Sequence, residues 1–201
     1  NNNANRMEIY YKGVREAMPY NSNRTLTVGE FQGSSNSNII WTDLRTMQSW
    51  NSLRYLYGAP IYVGFAFKRP WQGGHSNLSQ HYAGLAMDIA QTATAAQRAI
   101  IRNLARDIWA YVEPAYLTPT WVHVDDRWVA AGYPTIRRGS KGPYVCVAQD
   151  ALTTLGYNTG GLDGVFGANT QNAVASYQRS RGLTADGIVG CNTWRSLQED
   201  V

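Results

Sequence analysis

The chain is poor in the residues that most metal-binding and disulfide-built proteins rely on. It has two cysteines, Cys146 and Cys191, and three histidines, His75, His81 and His123, among 201 residues. Two cysteines exclude a zinc-finger spacing. No apolar run approaches the ~20 residues needed to cross a bilayer, so membrane insertion is not expected. There is no Lys/Arg run and no nucleic-acid-binding motif, which sets nucleic acid aside as a partner. Neither a signal peptide nor an initiator Met stands at Asn1, so a segment removed upstream is expected. Charged residues make up only 16%, against 44% hydrophobic, which suits a soluble globular protein and is too apolar for disorder.

The net charge of +4 fits an anionic partner such as nucleic acid, a membrane surface or a bacterial wall. The 7 Trp and 13 Tyr are residues that line carbohydrate and peptide grooves as readily as they fill cores. Residues 1–6 are polar and repetitive, as in a frayed end. A first unit over residues 1–130 mixes helices and strands. Residues 43–57 predict a helix with Leu44, Met47, Leu53 and Leu56 as its apolar positions, stopped by Gly58-Ala59-Pro60. Residues 61–67 predict a buried strand, 71–79 a loop, and 86–90 and 120–124 two more strands. Thr94 with Gln97 forms a capping box before a helix that presents Ile101, Leu104, Ala105 and Ile108. Without a βαβ repeat, the fold class is α+β, with a small antiparallel sheet and flanking helices.

Residues 128–138 connect this unit to a second, over 136–201, that contains an internal echo. Asp163-Gly164-Val165-Phe166-Gly167 with Thr170 recurs as Asp186-Gly187-Ile188-Val189-Gly190 with Thr193. Three short helices follow from the pattern. They carry Val145, Ala148, Leu152 and Leu155, then Ala173, Val174 and Tyr177, then Trp194 and Leu197. So small a unit has a small core. Cys146 in its first helix and Cys191 at the start of its third are therefore expected to form a disulfide, which implies an oxidising compartment. Asp163 and Asp186 lack a calcium ligand series and read as turn and helix-cap residues.

Chemistry concentrates in two segments, Ser79-Gln80-His81-Tyr82-Ala83-Gly84-Leu85-Ala86-Met87-Asp88 and Trp121-Val122-His123-Val124-Asp125-Asp126. Strand alternation sends Leu85, Met87 and Ile89 into the core and leaves Asp88 facing a cleft. Val122 and Val124 take the core face of the other strand, and His123 and Asp125 share the opposite one. Gly84 lets the chain bend closely. Two imidazoles and one carboxylate, from His81, Asp88 and His123, make a catalytic zinc set with a fourth position open. The alternative is a pair of ordinary His–Asp contacts.

The motif Ser-x-His-x-x-Gly-x-Ala-x-Asp at 79–88, followed by Trp-Val-His-Val-Asp at 121–125, resembles the zinc D-alanyl-D-alanine carboxypeptidase family, over about residues 25–128. Thr27-Val28-Gly29-Glu30-Phe31 and the step from Leu53-Arg54 to Pro60-Ile61 extend the likeness upstream. The resemblance implies Zn2+ on His81, Asp88 and His123, and hydrolysis of an amide in the stem peptides or cross-links of peptidoglycan. Many relatives place a carboxylate where Thr120 stands, and a substrate-binding Arg where Ala66 stands. Asp125 is the candidate to assist proton transfer or to fix an imidazole tautomer, and Arg69 the candidate to bind substrate or oxyanion. His75 is a further candidate acid, or simply exposed; Trp71 and Tyr82 line the groove or fill the core. Residues 136–198 resemble the three-helix peptidoglycan-binding domain, through Arg138-Gly139-Ser140, Gln149, the two Asp-Gly turns, Tyr177-Gln178 and Thr193-Trp194. Together the two resemblances imply a secreted, monomeric wall hydrolase. Its rivals are a non-catalytic wall-binding protein, or a glycan hydrolase, for which Glu30 and Glu113 offer no convincing carboxylate pair.

Overall fold

The computed structural model describes residues 7–10, 13–21 and 23–201; residues 1–6, expected to be frayed, lie outside them. The fold is α+β. Strand β1 (Met7–Tyr10) pairs antiparallel with β2 (Ile40–Asp43). Strands β3 (Val63–Phe65), β4 (Ala86–Ile89), β5 (Tyr111–Val112) and β6 (Val122–Asp125) form an antiparallel sheet in the order β3-β4-β6-β5.

Helix α1 (Val28–Gln32) opens with a capping box between Thr27 and Glu30, in the segment that the sequence marks only by family likeness. Helix α2 (Leu44–Tyr57) is capped by Asp43, whose carboxylate accepts from the Thr46 N–H at 2.8 Å, and ends at Gly58 in a left-handed conformation. Its buried stripe is Met47, Trp50 and Leu53, whereas Leu56 is exposed, so the apolar face is rotated from the expected one. Helix α3 (Ala95–Ala105) has the predicted Thr94–Gln97 capping box and buries Ile101 and Ala105. The strand expected over 61–67 shortens to β3 because its ladder to β4 shifts register between Val63 and Phe65.

Leu85, Met87, Ile89, Val122 and Val124 are fully buried, as the alternation requires. Strand β2 is buried along its whole length, so it shows no alternation from which to be read. It braces the site. The Trp41 indole N–H donates to the Tyr82 carbonyl at 3.1 Å and the Thr42 hydroxyl to the Gly84 carbonyl at 2.9 Å.

Helices α4 (Pro143–Thr154), α5 (Ala168–Ser180) and α6 (Cys191–Asp200) form the second unit. Its echo has a physical cause. The buried Gln149 amide donates to the Asp163 carboxylate, the Val165 carbonyl and the Thr170 hydroxyl, and its oxygen accepts from the Gly164 N–H. Gln178 repeats this with Asp186, Ile188, Thr193 and Gly187. Each clamp satisfies the buried glycine N–H of an Asp-Gly turn. Asp163 and Asp186 accept from the Val165 and Ile188 N–H groups at 2.9 Å, so they are turn residues. They are not helix caps: Gly167 and Gly190 occupy those positions.

The expected disulfide is absent. Cys146 is buried in α4 while Cys191 is exposed at the start of α6, so the two thiols face different surroundings. The unit is held instead by the glutamine clamps and by packing around Tyr144, Tyr177 and Trp194. Its connection to the first unit is packed down as well. Tyr133 and Ile136 are buried, and Ile136 bridges to Val189. Among the described residues, no helix is long and apolar enough to cross a membrane.

Candidate metal centre and cleft

Pairing of β4 with β6 sets Asp88 directly opposite His123. Cross-strand neighbours share a face, and the Asp88 Oδ1 to His123 Nδ1 distance is 2.7 Å. His81 arrives from the turn that precedes β4, with Nε2 3.4 Å from Asp88 Oδ2. The turn depends on Gly84. Its φ is +67°, and a Cβ there would stand 1.9 Å from the Trp41 carbonyl oxygen. One nitrogen of each imidazole and one oxygen of Asp88 lie within 4.8 Å of one another, so the donors converge on a common point.

The other nitrogen of each ring is already engaged. His81 Nδ1 lies 2.8 Å from the Ala66 carbonyl, which can only accept, so Nδ1 carries a proton and Nε2 is the nitrogen turned to Asp88. His123 Nε2 lies 3.1 Å from Asp125 Oδ2, which leaves Nδ1 for the shared point. Asp125 is fully buried and held by Arg127, whose Nε is 2.7 Å and whose Nη2 is 2.5 Å from its two oxygens. Asp125 thus acts on the imidazole from behind, and Arg127, to which no sequence pattern pointed, anchors it.

The electrostatics follow from this packing. Burial works against a charge on His123, but hydrogen bonds to Asp125 and Asp88 outweigh it and raise the imidazolium to about 9. Burial likewise opposes the Asp88 carboxylate, and bonds from His123 and His81 overcome it and hold the group well below the usual range. A donor set of two neutral-capable imidazoles and one carboxylate, each imidazole oriented by an outer acceptor, fits zinc.

A cleft of about 450 Å3 opens over these residues. Its walls include His75, Ser76, Gln80, Tyr111, Glu113, Trp121 and Arg127. His75 packs at a tilt against Phe65 and His81 at centroid distances of 4.5 and 4.6 Å, and burial followed by the charge of His81 lowers it to about 4. Tyr82 is a core residue, and Trp71 is exposed and away from the cleft. Thr120, at the position where many members of the resembled family carry a carboxylate, is exposed and does not line the cleft. Glu113 does. Its N–H donates to the His123 carbonyl at 3.0 Å, one step beyond the β5–β6 register, so it stands beside His123 on the same face. Among the described residues its carboxylate accepts no hydrogen bond. From sequence it is weighed only beside Glu30 as a carboxylate pair, because the two-residue β5 shows no alternation that would place it next to His123.

Arg69 is not brought to the cleft. Its guanidinium forks onto Asp150 of α4, with Nε at 2.8 Å and Nη2 on the second oxygen, and Nη1 is 3.4 Å from the Ser37 hydroxyl. A nearly buried carboxylate, 4% exposed, outcompetes an open groove for this fork.

Residues 141–197 match the family described as "Putative peptidoglycan binding domain". They are a peptidoglycan-binding domain. The chain is 54% identical over 56 residues to the N-acetylmuramoyl-L-alanine amidase CwlM of Mycobacterium tuberculosis, a match covering 28% of this chain and 14% of that protein. It is 40% identical over 62 residues to a spore cortex-lytic enzyme of Bacillus cereus, covering 31% and 24%. The chain thus spans less than a quarter of the length of these curated relatives. Among solved structures, the SleB N-terminal domain is 37% identical, covering 33% of this chain and 92% of that one, with a TM-score of 0.33.

The peptidoglycan-binding domain forms part of the cleft's support. The Tyr144 hydroxyl of α4 donates to Gln80 Oε1 at 2.8 Å, and Gln198 of α6 accepts from the Leu78 N–H at 3.2 Å. Tyr133, packed at steep ring angles between Tyr144 and Trp194, donates to the Ser79 carbonyl at 2.5 Å. The loop that precedes His81 is therefore fixed from the side of the second unit.

Proposed function

We propose that this protein is a zinc-dependent hydrolase of amide bonds in peptidoglycan peptides, with residues 1–130 as the catalytic unit and 136–201 holding it to the wall. The observation that carries the proposal is the convergence of His81, Asp88 and His123, each imidazole tautomer-fixed, at the floor of a cleft joined to a peptidoglycan-binding domain. The relatives that share the domain are named as wall-lytic enzymes, which supports a wall substrate. Secretion to the wall follows from that substrate.

Zinc held there would polarise the scissile carbonyl and acidify water. The protein's own groups do the rest. His81 and His123 hold their tautomers through Ala66 and Asp125. Asp125 positions His123 and is itself pinned by Arg127. Glu113 is the uncommitted carboxylate in the cleft wall, placed to take a proton from attacking water and pass it to the departing amine. The domain raises the enzyme's local concentration at its polymeric substrate.

The test is digestion of purified peptidoglycan by the full chain with zinc removed and then restored. New amino groups that appear only with zinc support the reading. New reducing ends would instead mark a glycan hydrolase, and wall binding without either product would mark a non-catalytic binder.

A further inference from the structure

The charges around the cleft bear on which amide is cut. An enzyme that removes a terminal residue must hold a free α-carboxylate, and a guanidinium or ammonium does this best through charge-assisted hydrogen bonds. Among the described residues Arg127 lines the cleft and Arg69 is the arginine that the sequence offered for this task, and both are committed elsewhere.

Arg127 is the one arginine among the residues lining the cleft. Its Nε and Nη2 fork onto Asp125, its Nη1 lies 3.5 Å from the Ala130 carbonyl, and its face lies 3.9 Å from the Tyr111 ring centroid. Arg69 is spent on Asp150 and Ser37, between the Trp41 and Trp71 rings. Lys68 stands over the Phe65 ring and does not line the cleft. The one charged group in the wall without a side-chain partner among the described residues is Glu113, which repels an incoming carboxylate.

We infer that the site takes an internal amide, with chain on both sides of the scissile bond, and does not select a C-terminal residue through its free carboxylate. The substrate class is then the peptide cross-link or the interior of the stem peptide. This rests on the zinc-hydrolase reading of the same site. Freeing either arginine would leave Asp125 or Asp150 buried without its partner, so neither can be turned to the substrate cheaply.

The experiment uses the zinc-loaded full chain on two substrates. Cross-linked peptidoglycan is digested and its muropeptides are analysed by mass spectrometry. In parallel, a muropeptide with a free C-terminal carboxylate is compared with the same molecule amidated at that carboxylate. The inference predicts that cross-linked or internally bonded species are split, and that amidation changes kcat/KM by less than about threefold, since no charge-assisted contact is lost. Release of single terminal residues, with a loss of about tenfold or more on amidation, overturns it and leaves the zinc-hydrolase reading standing. No product from either substrate, with zinc bound, overturns both.

Discussion

Asp88 and His123 face each other across the β4–β6 ladder, Oδ1 to Nδ1 at 2.7 Å, while the far nitrogen of His123 rests on Asp125 at 3.1 Å. In the metal-free protein the imidazole therefore carries two protons between two carboxylates, and this raises it to about 9.

Zinc binding at pH 7 must displace one of them, because Nδ1 can ligate only as a lone pair. The expected result is release of about one proton per zinc, with apparent affinity rising roughly tenfold per pH unit up to about 9. Calorimetry in buffers of different ionisation heat measures this. Binding without proton release would refute the imidazolium bridge.

Arg69 braces the two units. Substituting it by alanine strands Asp150, which is 4% exposed, and is expected to cost about 3 kcal/mol. Zinc affinity should be unchanged, because Arg69 does not touch the donor set. Denaturant unfolding alongside zinc titration separates this brace from a substrate-binding role.

Gly84 has no substitute. Alanine at φ +67° would press its Cβ into the Trp41 carbonyl. A loss of at least about 2 kcal/mol is expected, together with weaker zinc binding, since the same turn aims His81. Thermal unfolding with and without zinc reads both effects.

Asp126 is buried against Arg45 and the Ala110 N–H, and burial raises its carboxyl to about 6. The folded protein keeps this proton where the unfolded chain, at 3.8, has already lost it. Its contribution therefore falls as pH rises from about 4 to about 6, by an amount on the order of 3 kcal/mol. Asp126→Asn should remove that part of the stability profile and unfold at higher denaturant than the parent at pH 8. An unchanged profile would show that Asp126 ionises freely in the fold.

The convergence of His81, Asp88 and His123 was legible because each sits in a pattern with one geometric outcome. Alternating apolar residues in β4 and β6 leave Asp88 and His123 one face to occupy, and Gly84 marks the turn that brings His81 round. The second unit was legible through its repeated Asp-Gly turns. Long-range competition was not. Nothing local says that Arg69 meets Asp150, that Cys146 is buried while Cys191 stays exposed, or that Glu113 lands beside His123 through a two-residue strand. Strand β2, buried on both faces, carries no period from which its bracing of the site could be read.

Peptide hydrolysis is expected to depend on one zinc site formed by His81, Asp88 and His123. The most direct test is zinc titration of the full chain and of His123→Ala, each followed by product analysis on purified peptidoglycan. The parent should bind one zinc per chain and release peptide fragments. The variant should keep its fold and its wall binding while losing both tight zinc and products. A variant that still binds zinc with parental affinity, or still cuts, would contradict it.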